Sequence, residues 1–416
     1  MVDDEILSPE RVADPYPYFA ELRREDPVHW NEIYRAWFVH RFVDVWEGLR
    51  SPALSSDRVQ PVFEHKLTPE QQDQRRPTFE ILQHWMVFQD PPDHTRLRRL
   101  MNQAFTPRQV QALRPRIEQV VAGMLDEIGP RGQVDLIRDF AYPIPAVIIA
   151  EMMGVPPSDR DMFKAWSDAI MILVFCGARV EDRRERAQRG LLELAEYLRG
   201  LIRRFRSEPE DNLITSLVQA KDQNDTLSED EIISTCTLLL FGGHETTTNL
   251  IGNGTRTLLA NPDQLKLLRD DPKLITSAIE ELLRFDGPSK MQVRLVAEDT
   301  ELGGKKLRAG DELYFVQASA NHDPDEFDDP DTVDLRRNPN RHIGFGFGLH
   351  HCLGAPLARL EGAIAIDALI RRFPDLRPGP GPEVWHPTLI SRGMEQFPVS
   401  FTPVDAAGAS GNGAGS

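Results

Sequence analysis

Apolar positions recur at intervals of three and four along most of the chain, so helices are expected to dominate and strands to occupy only a few places. The spacing predicts helices over 18–25 (YFAELRRE) and 107–127, the second starting with Pro107 in its first turn and broken or kinked at Pro115. Further helical patterns cover roughly 143–153, 157–175 and 181–206, with Pro156, Gly177 and Pro209 between them. The longest pattern opens on the capping box Ser228-Glu229-Asp230-Glu231 and runs until Asn261-Pro262 stops it. At about 1.5 Å per residue it would be roughly 45–50 Å long. Its middle holds Gly242, Gly243 and the threonines 246–248, which are poor helix formers with hydroxyls able to bond preceding carbonyls. A local opening of the helix is expected there.

Asn261-Pro262 and Asp271-Pro272 each read as a cap followed by a first-turn proline, launching two more helices, the second ending near Phe285. Strands are expected over 291–297 (MQVRLVA) and in the pieces TEL, GGKKLRAG and DELYFVQA, with a turn at Gly303-Gly304. Residues 321–344, rich in Asp, Pro, Asn and Arg, read as irregular but packed. A Gly-rich loop at 344–354 and a helix from about Ala355 to Phe373 follow. No solenoid repeat is present. The expected organisation is one domain over 1–405 and a disordered tail over 406–416 (AAGASGNGAGS).

Composition narrows the class. A chain of 416 residues, 40% hydrophobic, can bury a sizeable core and an internal pocket. No stretch approaches the ~20 apolar residues of a membrane span, and the acidic, Pro-bearing start is unlike a signal peptide, so a soluble cytoplasmic protein without a membrane anchor is expected. A net charge of −17 argues against nucleic acid as a partner. The three cysteines, Cys176, Cys236 and Cys352, are too scattered for a disulfide framework or a CxxC motif.

Three short pieces carry chemistry. In Phe345-Gly346-Phe347-Gly348-Leu349-His350-His351-Cys352-Leu353-Gly354, the cysteine precedes a helix, whose dipole and nearby amides favour a thiolate. The glycines at 346, 348 and 354 remove bulk, so that a flat ligand can lie against the loop. The alternatives are a buried structural cysteine, a zinc site, which lacks a second ligand pair, and a dinucleotide fingerprint, whose third glycine is missing. Beside the structural cysteine, which stays open, a single thiolate ligand to a large planar cofactor remains, and haem fits. The second piece, Gly242-Gly243-His244-Glu245-Thr246-Thr247, is not a zinc-protease motif, because Thr248 stands where the second histidine would be. An acid beside a hydroxyl in an opened helix can carry protons into a dry pocket; a solvated Glu with back-bonding threonines is the alternative. Third, Glu281-Leu282-Leu283-Arg284 puts an acid and a base on one helix face.

Together and in this order, these pieces resemble the cytochrome P-450 haem-thiolate monooxygenases, in particular the soluble bacterial branch. The similarity also covers DPYPYFAELRREDPVHW, DPPDHTRLRRLMNQAFTP and RNPNRHIGFGFGLHHCLGAPLARLE. The resemblance implies a mainly α fold with smaller β regions, in which a long central helix lies over a haem and a Cys-bearing loop lies beneath it. It implies Cys352 as the axial ligand of the iron in haem b, with Phe345 and Gly346 beside it. Glu245 and Thr246 correspond to the acid-alcohol pair that delivers protons to dioxygen, with Gly242 and Gly243 leaving room above the haem. Glu281, Arg284 and Arg337 match a structural ion-pair network, and His94, Arg98, Arg294 and His350 fall where haem-propionate partners stand.

The intact acid-Thr pair implies reductive oxygen activation, and the chain's early end after the Cys-loop helix implies a separate iron-sulfur ferredoxin and reductase, with NAD(P)H used only indirectly. Arg96, Arg99, Arg108, Arg114 and Arg359 are the expected basic docking patch. A small apolar substrate is expected, bounded by Trp85, Val87, Leu239, Met291, Val293 and Ile390, with Phe63, Met86, Phe88, Ile170, Leu173, Val174 and Leu389 as further candidates. The expected reaction is hydroxylation or epoxidation by a monomeric enzyme. A peroxygenase, a coupling or desaturating oxidase on the same scaffold, and a non-catalytic haem carrier are the alternatives.

Overall fold

Ser228 caps the longest helix in both directions: its hydroxyl accepts from the Glu231 N–H at 3.2 Å, and the Glu231 carboxylate accepts from the Ser228 N–H at 2.8 Å. From there the central helix runs over Glu229–Ala260. The computed structural model describes residues 4–175, 181–222 and 225–405. The tail 406–416, Cys176, Gly177 and the side chains of Leu173 and Val174 lie outside the described residues.

The expected opening at the threonines is absent, and the helix is continuous through them. The hydroxyls of Thr246 and Thr248 bond the carbonyls of Gly242 (2.7 Å) and His244 (2.8 Å), one turn back. Acceptors four residues earlier satisfy these hydroxyls inside the helical geometry, so the threonines do not interrupt it. Around the central helix pack Pro143–Met152, Glu181–Ser207, Ile275–Asp286 and the helix Ala355–Arg372, which follows Cys352. Pro115 acts as a break: one helix ends at Ala112 and the next, Arg114–Ile128, takes the proline into its first turn. Asp271 caps a short 3-10 turn, Pro272–Leu274, ahead of Ile275–Asp286.

The main sheet has five strands in the order Val28–Asn31, Ala36–Val39, Glu312–Phe315, Gln292–Val296 and Leu54–Ser55. Its only parallel pair joins Glu312–Phe315 to Ala36–Val39, with Leu313 opposite Trp37. Arg294 faces Leu313 across the antiparallel pair. The piece DELYFVQA is strand only as far as Phe315; Gln317–Ala320 turns into a short helix. Thr300–Leu302 and Lys305–Leu307 form the expected hairpin around Gly303 and Gly304, both with positive φ. Residues 321–344 carry no strand and no α-helix, yet Phe327, Val333, Leu335 and Ile343 are buried. The main core takes side chains from Ile81 to Phe401, and the sheet builds two smaller cores on its faces. Among the described residues, no helix is long and apolar enough to cross a membrane.

Candidate active site

The Cys352 N–H donates to the Phe345 carbonyl at 3.0 Å, closing the loop that holds the sulfur. Protein surrounds Cys352, although the residue keeps some accessible surface. Burial pushes its thiol pKa up, against the Gly354 and Ala355 N–H groups and the charges of Arg98 and Arg359. The amides therefore act as the sequence suggests, but burial outweighs them, and a bound metal cation is what would ionise the sulfur. Gly346 and Gly348 have φ of +71° and +73°, conformations that favour glycine. Their missing Cβ atoms would meet Gln292 and Leu49, so these two glycines serve loop closure; only Gly354 would project its Cβ near the sulfur, at 3.9 Å. Arg359 lies over the Phe345 ring at 4.5 Å. Among the described residues no group of three or more His, Cys, Asp or Glu side chains could hold a bare metal ion.

On the central helix, Gly242 is exposed between the half-buried Phe241 and Gly243, and nothing would touch a Cβ there within 4 Å. This is the open point in the middle of the helix. The Thr246 hydroxyl turns back onto the Gly242 carbonyl. Glu245 is buried, accepts from Asn249 at 3.4 Å and from Ser391, and has its pKa pushed up by burial to about 7. Asn249 and Ser391 have no counterpart in the sequence reading; Asn249 is one helical turn from Glu245, which is a usable signal, whereas Ser391 carries none.

His94, Arg98, Arg294 and His350 come together. The His94 and His350 rings lie 4.1 Å apart, and burial with the charges of Arg294, His94 and Arg98 pushes His350 down to about 3. Arg98 donates to the His351 carbonyl at 2.8 Å, and Arg294 to its neighbour Val293. Ser56, also unforeseen, bonds His350 at 2.9 Å. Both His94 ring nitrogens and one Arg294 terminal nitrogen are buried without partners among the described residues. Such a cluster of orphaned donors beside a partly accessible cysteine fits the two carboxylates and the metal of haem b. Gln292, with its Oε1 also orphaned, belongs to the same region and escaped the sequence reading.

Glu281 and Arg284 form a bidentate pair at 2.7 and 2.8 Å with both side chains fully buried. Arg337 and Asn340 add bonds to the same carboxylate at 3.0–3.2 Å, and Arg284 binds the carbonyls of Asn321 and Pro330. The network ties the helix to the irregular segment that leads into the Cys loop.

Other expectations need correction. Trp85 is sealed, its indole N–H donating to Thr237 at 2.9 Å, and Met291 and Val293 are also buried, so these three back the wall instead of lining it. Val87, Leu239 and Ile390 keep accessible surface, as do Phe88 and Leu389. Phe63 stacks on Phe79 at 4.0 Å, and Ile170 and Met86 belong to the main core. The five arginines do not form a free basic patch. Arg96 pairs with Asp225 and Glu231, Arg99 with Asp222, Arg114 with Glu118 and Arg359 with Glu280, which leaves Arg108 unpaired among the described residues. The acidic side chains of this protein supply the counterions that the sequence reading left out.

The Cytochrome P450 family model matches residues 53–385, well over half of the chain. The chain is 42% identical over 395 residues to Cytochrome P450 107B1 of Saccharopolyspora erythraea, covering 93% of this chain and 95% of that protein. It is 41% identical to the vitamin D(3) 25-hydroxylase of Pseudonocardia autotrophica, covering 94% and 95%. The solved structure of the bacillaene polyketide synthase cytochrome P450 PksS of Bacillus subtilis matches with a TM-score of 0.87 at 37% identity, covering 97% of this chain and 100% of that one.

Proposed function

The chain belongs to the cytochrome P450 family of haem monooxygenases, and from that premise we propose that it hydroxylates an apolar organic substrate with electrons delivered by a separate ferredoxin and its reductase. Haem b, when bound, supplies the iron at which dioxygen is activated and, through a thiolate, the electron donation that favours O–O cleavage. Cys352 is the residue that would hold its iron. His94, Arg98, Arg294 and His350 would hold its carboxylates.

The observation that carries the reading is the pairing of Glu245 with Thr246 at the open point of the central helix. A carboxyl with a pKa near about 7 can both hold and release a proton at neutral pH. The Thr246 hydroxyl, donating to Gly242, leaves its oxygen free to accept a bond from a group or water in the space beside Gly242. The partly buried Phe241 and the sealed Trp85 make the neighbouring wall apolar. Glu245 then resupplies the proton that Thr246 positions. A relative named for vitamin D(3) and a solved neighbour from a polyketide synthase support an apolar, C–H-rich substrate class. A main core reaching from Ile81 to Phe401 supports a single domain.

The test is the yield of product per NAD(P)H consumed, in the holoenzyme with a surrogate ferredoxin and reductase. Thr246→Ala should divert electrons to hydrogen peroxide and lower that yield about tenfold, and the wild-type yield should fall as pH rises above about 7, where Glu245 loses its proton. A Thr246→Ala enzyme with unchanged yield would overturn the proton-delivery role. Product formed from peroxide alone, at the rate seen with reductase, would favour a peroxygenase.

A further inference from the structure

Arg58 is a largely enclosed cation that no described residue answers. It stands just after the strand Leu54–Ser55 and immediately before the helix Val59–His65, without a capping hydrogen bond from its side chain. Its Nε is sealed from solvent without a partner, and its guanidinium makes no hydrogen bond and no ion pair among the described residues. The neighbouring carboxylates are already engaged. Asp57 accepts from the N–H groups of Val59 and Gln60, and Asp90 accepts from the Ser55 hydroxyl and the Ser56 N–H. Glu312 attracts Arg58 from a distance but accepts from the Tyr314 hydroxyl at 3.0 Å. A buried guanidinium left this way is costly unless an anion completes it. Arg58 also lies close enough to Arg294 to push down that residue's pKa, so both cations face one region, and the test below separates a haem propionate from a substrate carboxylate as the anion that completes Arg58.

Its surroundings say where the missing anion lies. The guanidinium sits 4.9 Å above the Phe88 ring; Phe88 stacks on Trp85 at 5.8 Å, and Trp85 meets Phe241 at 5.3 Å. Phe241 belongs to the central helix, one turn before Glu245. Arg58 therefore marks the outer end of an aromatic row whose inner end reaches the acid-alcohol pair. Trp85 in the middle of the row is sealed, so a ligand would touch the row at Phe88 and Phe241, and held that way it would present a charged end to Arg58 and a C–H-rich body toward Gly242 and Thr246.

We propose that Arg58 anchors the carboxylate of the substrate, which makes the preferred substrate class an apolar monocarboxylic acid oxidised away from its acid end. A bidentate guanidinium-carboxylate pair fixes orientation as well as affinity, so the carbon presented to the site depends on the length of the apolar body. The proposal rests on the monooxygenase reading, and its test separates the two.

Octanoic, dodecanoic and hexadecanoic acids, each against its methyl ester, would be measured by equilibrium dialysis with the holoenzyme. At least one acid should bind about tenfold tighter than its ester, the expected worth of a charge-assisted bond. Arg58→Met should abolish this preference while leaving ester binding within about twofold, and Arg58→Lys should retain part of it. No acid preference in any pair, or a preference that survives in Arg58→Met, overturns the proposal. The rate of haem transfer to apomyoglobin, read on the same proteins, distinguishes the other source of a carboxylate: faster loss from Arg58→Met would assign Arg58 to a haem propionate and likewise overturn it. Absence of the red-shifted ferrous–carbonyl band of a thiolate-ligated haem in the wild type would instead overturn the reading of Cys352, whatever the acids do.

Discussion

The backbone of Gly393 lies against the side chain of Asn249, so closely that a Cβ at 393 would fall 2.0 Å from the Asn249 Oδ1. Asn249 is buried and donates to Glu245, and Ser391, two residues before Gly393, also bonds Glu245. The acid of the central helix is thus held from two sides, by its own helix and by the turn that follows Ile390. Lys290 fastens that turn from below through the Thr388 carbonyl, and Thr388 bonds Ser391 at 3.0 Å.

Gly393→Ala should therefore overpack this contact and cost about 1–3 kcal/mol in urea unfolding of the holoenzyme. The same substitution displaces Asn249 from Glu245, so product yield per NAD(P)H should drop with it. Adding Asn249→Ala makes room for the new methyl, and the double variant should be more stable than the sum of the two single losses. Strict additivity would show that the two residues do not meet.

What the sequence reveals here follows the range of each interaction. The central helix is legible because its signals are local: the capping box at Ser228, apolar spacing and the Asn261-Pro262 stop lie within the element itself. The hairpin Val28–Asn31 with Ala36–Val39 is not, since its strands are short and its turn puts Arg35, instead of a glycine or asparagine, at a φ of 52°. Cys352, Glu245 and Thr246 stand in compact motifs and could be named. Ser391 lies far along the chain from Glu245, and Arg58 stands out only once Asp57 and Asp90 are seen to be engaged elsewhere. The arginine patch failed for the same reason, because its counterions come from Asp222, Asp225 and Glu280 on other elements.

Glu361 gives a pH-dependent prediction. It is buried on the helix after Cys352, beside Thr247, with Oε2 unpartnered among the described residues, and burial raises its pKa from 4.5 to about 8. Because the folded value is the higher one, this carboxyl's contribution is fully present below its unfolded pKa and is lost as pH rises through the folded value. Stability should therefore decline from pH 4.5 to about 8, by a few kcal/mol at most from this group. Glu361→Gln, which cannot ionise, should flatten the decline. Thermal unfolding followed across that window decides it; a slope equal to that of the wild type would sink the idea.

Glu281 takes the opposite case, a buried carboxylate that is fully answered. Arg284 binds both of its oxygens, Arg337 and Asn340 add further bonds, and the Asp334 N–H donates to it at 3.0 Å. Glu281→Gln keeps the shape but leaves two guanidinium groups against a neutral amide whose NH2 points donor at donor. The loss should be about 3–5 kcal/mol, the range for breaking one partner of a buried pair. Because Arg337 lies only fifteen residues before Cys352 and anchors the segment leading into the Cys loop, the damage should spread to the cofactor. The Glu281→Gln protein is expected to purify with less haem per chain than wild type, and its residual haem should transfer to apomyoglobin faster. Arg337→Lys, which keeps one charge outside the bidentate pair, should cost less on both measures. Normal haem content in Glu281→Gln would mean that the network stabilises the helix alone and leaves the Cys loop to its own glycines.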